Sequence, residues 1–234
     1  MKSFSPGGIA SVFGVSGAIG GALADALDKS GAFERVMRFS RHGPLPLDLA
    51  DECSISRAAQ RISEDGRPLR LAFVATGFLH GKGYMPEKSL RQIDAAHMAH
   101  AFAINAIGPA LLLKHVLPLL ASGGKSVFAT LSARVGSIGD NHLGGWHAYR
   151  ASKAALNQIV RTSAIELARR QPEAICIALH PGTVQSSLSE PFARAGLDIR
   201  SAREAARDLL AVIDALGPDA NGAFRDQYGK PIEW

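Results

Sequence analysis

Ile9-Ala10-Ser11-Val12-Phe13-Gly14-Val15-Ser16-Gly17-Ala18-Ile19-Gly20 is an apolar run that passes straight into a glycine-rich turn. The apolar run reads as a strand with both faces covered, and the turn opens a helix expected over 18–30. Glycine permits a tight turn and close approach of a ligand to the backbone. The unpaired N–H groups and partial positive charge of the helix start favour an anion such as a pyrophosphate. The placement between first strand and first helix points to a dinucleotide-binding turn, with Gly14, Ser16, Gly17, Ala18 and Ile19 as contacts. The alternative is a tight turn that holds no ligand.

Working outward, the same alternation repeats to the end of the chain. Strands are expected over 35–40, 45–48, 69–75, 125–132 and 175–180. Helices are expected over 55–63, 89–120, 148–169 and 201–216, the second of these bent at Gly108-Pro109. This order implies a parallel sheet with helices on both faces. Right-handed crossovers make it a doubly wound, Rossmann-type α/β fold. No linker or repeat interrupts it, so residues 1–234 read as a single domain.

The bulk properties exclude several classes. Of the 234 residues 47% are hydrophobic and 20% charged, which fits a folded domain. The net charge of +5 is scattered, without a basic run, so no nucleic-acid partner is expected. Two cysteines, Cys53 and Cys176, make no disulfide framework, and Cys176 sits in an apolar run as a buried thiol would. Met1 to Gly8 lacks the order of a signal peptide. Lys114, His115 and Pro118 break the longest apolar stretches, so no membrane span and a cytoplasmic location are expected. His97 and His100, near Asp94, have no third ligand at a supporting spacing, and no metal is expected. They read as polar positions of an amphipathic helix. His142 and His147 flank a loop and read as surface.

Two further features carry chemistry. The second strand ends in Ser40-Arg41, where an acidic residue would bind an adenosine 2′-hydroxyl. Arginine suits a 2′-phosphate, so NADP is expected over NAD; a solvated surface arginine is the alternative. Asp48, beside Leu49, either accepts from the adenine amino group or caps the next helix. Tyr149-Arg150-Ala151-Ser152-Lys153 puts a phenol and an ammonium on one helical face. The ammonium is expected to lower the phenol pKa, fitting Tyr149 to exchange a proton with a carbonyl oxygen.

The glycine turn, Asn105, Ser132, the Tyr149–Lys153 helix and His180-Pro181-Gly182-Thr183 occur in an order that resembles the short-chain dehydrogenase/reductase family over essentially the whole chain. Ser132-Ala133-Arg134-Val135-Gly136-Ser137, followed by 144–153 and the ending 222–234, resembles its sniffer-type carbonyl reductases and C-factor-like proteins. The resemblance implies that Tyr149 is the acid/base and that Lys153 binds the nicotinamide ribose. It implies that Asn105 holds a water that relays protons from Lys153; the alternative is an amide satisfying backbone freed at the bend. It also implies that Ala75, Thr76 and Gly77 line the cofactor, and that Pro181, Gly182, Thr183 and Val184 meet its nicotinamide end. Similar proteins form homodimers or homotetramers, here through faces around 111–113 and 154–156, unless those faces are intrachain core.

The chain departs from the family pattern at three places. Ala18 stands at a usual glycine, and Ala75-Thr76-Gly77 replaces Asn-Asn-Ala-Gly. The serine that polarises the substrate carbonyl falls at Ala133, so either Ser132 twists into the site, which is the expectation, or the role is lost or moved to Ser137. The expected function is hydride transfer between NADP(H) and a small carbonyl or alcohol. The rival is a C-factor-like nucleotide sensor or signalling protein with little turnover. Leu188, Phe192 and Leu197 within 185–200 are expected to cover an uncharged substrate.

Overall fold

The computed structural model describes residues 1–81, 83–192 and 199–234. Its main sheet joins β1 (Ile9–Phe13), β2 (Arg35–Ser40), β3 (Leu45–Pro46), β4 (Leu69–Val74), β5 (Ser126–Leu131) and β6 (Ala174–Leu179). Two short strands, β7 (Thr183–Val184) and β8 (Ile199–Arg200), pair apart from it, and β9 (Phe224–Arg225) returns to its edge. The order is β3-β2-β1-β4-β5-β6-β9, parallel throughout.

The strand side chains alternate between two cores, as a period of two dictates. Val12, Phe73 and Ile177 face one side, where they meet Leu23 and Leu27 of α1 (Ala18–Ser30) and Leu209 and Ile213 of α6 (Ala202–Ala215). Phe13, Val74 and Cys176 face the other. That side is covered by α2 (Glu52–Glu64), α4 (Gly108–Val116) and α5 (His147–Arg170), through Ile55, Leu112 and Leu156. Helices therefore pack on both faces of the doubly wound sheet.

Several boundaries differ from the sequence expectation for local reasons. α2 starts three residues early because the Asp51 side chain accepts from Cys53 N–H and caps it. The long helix divides into α3 (Ala95–Phe102), a π-helical turn at Ala103–Ile107, and α4. Its irregularity thus falls one turn before the expected bend. Pro109 has no N–H to give the preceding turn, and Gly108 N–H reaches back to Ala103 instead. Ala95–Leu119 spans 25 residues and holds a stretch of mean hydropathy 1.5, enough by length and composition to cross a membrane, contrary to the reading from its polar breaks. Within the domain, however, Asn105, Leu112, Leu113 and Val116 of this stretch are buried. Leu112, Leu113 and Leu156, expected between subunits, also belong to the chain's own core.

Candidate active site

The chain enters the sheet at β1, winds outward through β2 and β3, and then crosses to β4 on the other side of β1. That reversal opens a crevice at the carboxyl ends of β1 and β4. Gly14 begins the turn at φ 96, and a Cβ there would lie 2.8 Å from the Thr76 side chain. A Cβ on Gly20 would lie 2.2 Å from the Gly14 carbonyl oxygen, so the helix can start this close only with glycine there. A cavity of about 380 Å³ fills the crevice, lined by Gly14, Ser16, Gly17, Ser40, Arg41, Asp48, Leu49, Ala75, Thr76 and Gly77. Two roomier grooves, of about 520 and 430 Å³, lie away from these strand ends, beside α6 and between α4 and α5.

The crevice fits a dinucleotide on its own features. Gly17 caps α1 with no side chain, leaving the first-turn amides open beside Ala18 and Ile19. The Thr76 hydroxyl is buried without a partner among the described residues. Arg41 is exposed at the end of β2. Asp48 accepts from Ala50 N–H, and since Asp51 caps α2, the capping alternative for Asp48 does not hold.

Tyr149 and Lys153 reach the same edge from the first two turns of α5. Lys153 is buried, and its ammonium donates to the Leu131 carbonyl oxygen at 2.9 Å. It stands 5.9 Å from the centroid of the Tyr149 ring. A Cβ placed on Gly77 would lie 3.9 Å from Lys153 Nζ and 3.8 Å from Asn105 Oδ1, so the loop after β4 joins the two halves of the site. Burial pushes the Tyr149 phenol up to about 12 and the Lys153 ammonium down to about 8. The expected lowering of the tyrosine by its lysine is therefore reversed, because desolvation dominates.

Asn105 sits in the π-helical turn with no exposed surface. Its Oδ1 accepts from Phe78 N–H at 2.8 Å, and its Nδ2 donates to the Phe78 carbonyl at 2.7 Å and to the Ser152 hydroxyl at 3.0 Å. The amide thus clamps the loop after β4 to α5 rather than satisfying backbone at the bend.

Ser132, expected to twist into the site, is held by a bond to α5. Its hydroxyl donates to Asn157 Oδ1 at 2.6 Å, and both side chains are buried. The backbone at Ala133 is extended, so neighbouring side chains point to opposite faces, and the half-buried position carries only a methyl group. Ser137 is also buried and accepts from Asp140 N–H.

Comparison with known proteins shows the family. The family model described as enoyl-(acyl carrier protein) reductase matches residues 22–208. The chain belongs to the short-chain dehydrogenase/reductase family of oxidoreductases. It is 39% identical over 147 residues to C-signal of Myxococcus xanthus, covering 62% of this chain and 84% of that one. It is 32% identical to 1-hydroxy-2-glutathionyl-2-methyl-3-butene dehydrogenase of Rhodococcus sp. (strain AD45), over 80% of this chain and 78% of that one. Its fold is shared with the carbonyl reductase Sniffer of D. melanogaster, with a TM-score of 0.84 at 21% identity over 98% of this chain and 100% of that one.

An aromatic wall stands beside Tyr149, and the sequence points to Phe192 in it but not to Trp146 or His80. The Trp146 ring lies 6.2 Å from Tyr149 and 5.0 Å from Phe192, which in turn meets His80 at 5.5 Å. His80 Nε2 lies 3.0 and 3.1 Å from the carbonyl oxygens of Ser187 and Leu188, tying this covering segment to the loop after β4. Leu197 lies outside the described residues. Leu47, Phe78, His80, Gly81, His100 and Ile104 line the cavity as well, without having been anticipated. Pro181, Gly182, Thr183 and Val184 lie outside that lining, where they follow β6; Gly182 adopts φ 77 against Gln227. His97 is buried and stacks on Tyr84 at 4.8 Å, so it is no solvent-facing polar position. Among the described residues no three metal-ligating side chains group together.

Proposed function

We propose that this chain is an NADP(H)-dependent reductase of small, uncharged carbonyl compounds, with Tyr149 as the acid/base. The observation that carries the reading is the convergence of Tyr149, Lys153, Gly77 and Asn105 at the strand ends beside the glycine turn. Gly14, Ser16, Gly17, Ala18 and Ile19 would hold the pyrophosphate end of the cofactor. Ser40, Arg41, Asp48 and Leu49 would hold the adenosine end, and 181–184 the nicotinamide end. Bound NADPH supplies the hydride. NADP-bound relatives support this choice of cofactor, among them a short-chain dehydrogenase/reductase of Burkholderia multivorans with bound NADP, with a TM-score of 0.80 at 25% identity over 98% of this chain and all of that one.

A phenol pushed up to about 12 keeps its proton at neutral pH and is suited to give it to a carbonyl oxygen. An ammonium near 8 releases its proton readily enough to restore the phenol, with Asn105 positioning the loop between them. Trp146, Phe192 and His80 give the substrate an aromatic, uncharged wall. A homodimer or homotetramer through α4 and α5 would cover the exposed Ile107 and Ile165. The test is consumption of NADPH with a panel of aldehydes and ketones. Turnover supports the reading, and cofactor binding without turnover of any of them favours a sensor.

A further inference from the structure

α5 carries Tyr149 in its first turn, yet it does not cap itself. Trp146, at the cap position, makes no side-chain capping bond, and no acidic residue lies in the first turn. The approach is also strained. Gly144, Gly145 and Trp146 all take left-handed φ values, of 63, 64 and 53°, and Trp146 is the one non-glycine residue to do so among those described. A bulky residue holds such a conformation only where its surroundings enforce it.

Glu87 supplies both missing elements from outside the helix. Its backbone carbonyl accepts from Trp146 N–H at 2.5 Å. Its carboxylate oxygens lie 3.3 and 3.2 Å from Ala148 N, inside the first turn. The Gly145 backbone packs so closely that a Cβ there would stand 3.2 Å from the Glu87 carbonyl oxygen. The Glu87 side chain is only 1% exposed, and His97 Nδ1 lies 3.5 Å from one of its oxygens. His97 meets the Phe78 ring edge-on at 6.0 Å, and the Phe78 backbone is clamped by Asn105. A carboxylate withdrawn from water is costly to keep, and a helix N-terminus is one place where amides and dipole offset the cost.

We propose that Glu87 is a positioning residue for the reaction: a helix cap supplied from the segment after β4 that, steadied by His97, fixes the first turn of α5 and with it the Tyr149 phenol. The proposal rests on the role of Tyr149 given above, so its test needs a readout that does not depend on turnover. In the full chain, the tyrosinate absorbance of Tyr149 is titrated in wild type, Glu87→Ala, Glu87→Gln and Glu87→Asp, with Tyr149→Phe in each background as the blank. NADPH affinity and reduction of 4-nitrobenzaldehyde are measured alongside.

In Glu87→Ala the loosened first turn admits water, and the Tyr149 titration moves to lower pH. The alkaline limb of the pH–rate profile moves with it. kcat falls by about 10²-fold, as misplacement of a reacting group by about 1 Å allows, while NADPH affinity holds. Gln keeps an acceptor for Ala148 N–H and restores most of the loss. Asp keeps the charge but pulls it back by one methylene, and it serves if the Ala variant does not fold; it too lowers kcat and the titration. A folded Ala or Asp variant with wild-type titration overturns the proposal, whether or not the wild type reduces the aldehyde. A shifted titration in a chain that reduces no carbonyl upholds the hold of Glu87 on Tyr149 and removes the reductase reading alone.

Discussion

Ser132 and Asn157 share a 2.6 Å hydrogen bond in the interior, one residue away from the methyl group that stands where the family serine would be. The bond ties the end of β5 to α5 and leaves the crevice without a hydroxyl at Ala133.

Two substitutions separate these roles. Ser132→Ala strands a buried amide oxygen and is expected to lower stability by about 1–3 kcal/mol in urea unfolding, with turnover retained. Ala133→Ser is expected to raise kcat by up to about 10²-fold by adding a donor for the carbonyl oxygen. Loss of turnover in Ser132→Ala, with no gain in Ala133→Ser, would return the polarising role to Ser132.

Arg41 borders the cavity at the end of β2. Arg41→Ala is expected to weaken NADPH binding by roughly 10–100-fold, the scale of a charged hydrogen bond, and to leave NADH binding nearly unchanged. Equal weakening of the two cofactors, measured by fluorescence titration, would show that Arg41 does not meet the 2′-phosphate.

Lys153 predicts how stability responds to pH in the cofactor-free protein. Its folded-state pKa of about 8 lies below the ordinary 10.5, so between these values the unfolded chain binds the extra proton. Its contribution therefore makes stability rise with pH from about 8 toward 10. A shift of that size corresponds to roughly 3 kcal/mol over the whole interval. Above pH 10 the half-buried Tyr149 acts in the opposite sense, because the unfolded chain loses the phenolic proton first. Urea unfolding at stepped pH should show the rise, and Lys153→Met should flatten it.

The backbone plan was legible because its signals are long and periodic. β1, α1 and β2 lie at the expected residues, and β4, β5 and β6 differ by one residue at their ends. β9 escaped because the two residues Phe224 and Arg225 carry no pattern; only pairing with Ala178 and Leu179 makes them a strand. The glycine turn and the Tyr149–Lys153 pair were visible as local spacings. Glu87, His80 and Trp146 were not, since each matters through a partner distant in sequence, or through a backbone angle that no residue type announces. The pKa of Tyr149 runs against the sequence expectation for the same reason: the charge of Lys153 can be read from the chain, whereas desolvation of the phenol depends on the tertiary fold.

The central claim is that the Tyr149 hydroxyl carries the proton of the reaction. The most direct test is Tyr149→Phe, which removes that hydroxyl and keeps the ring between Trp146 and Lys153, assayed by NADPH oxidation with an aldehyde that the wild type reduces and by NADPH titration. kcat is expected to fall by about 10²–10⁴-fold with NADPH affinity retained. Turnover equal to wild type would contradict the account.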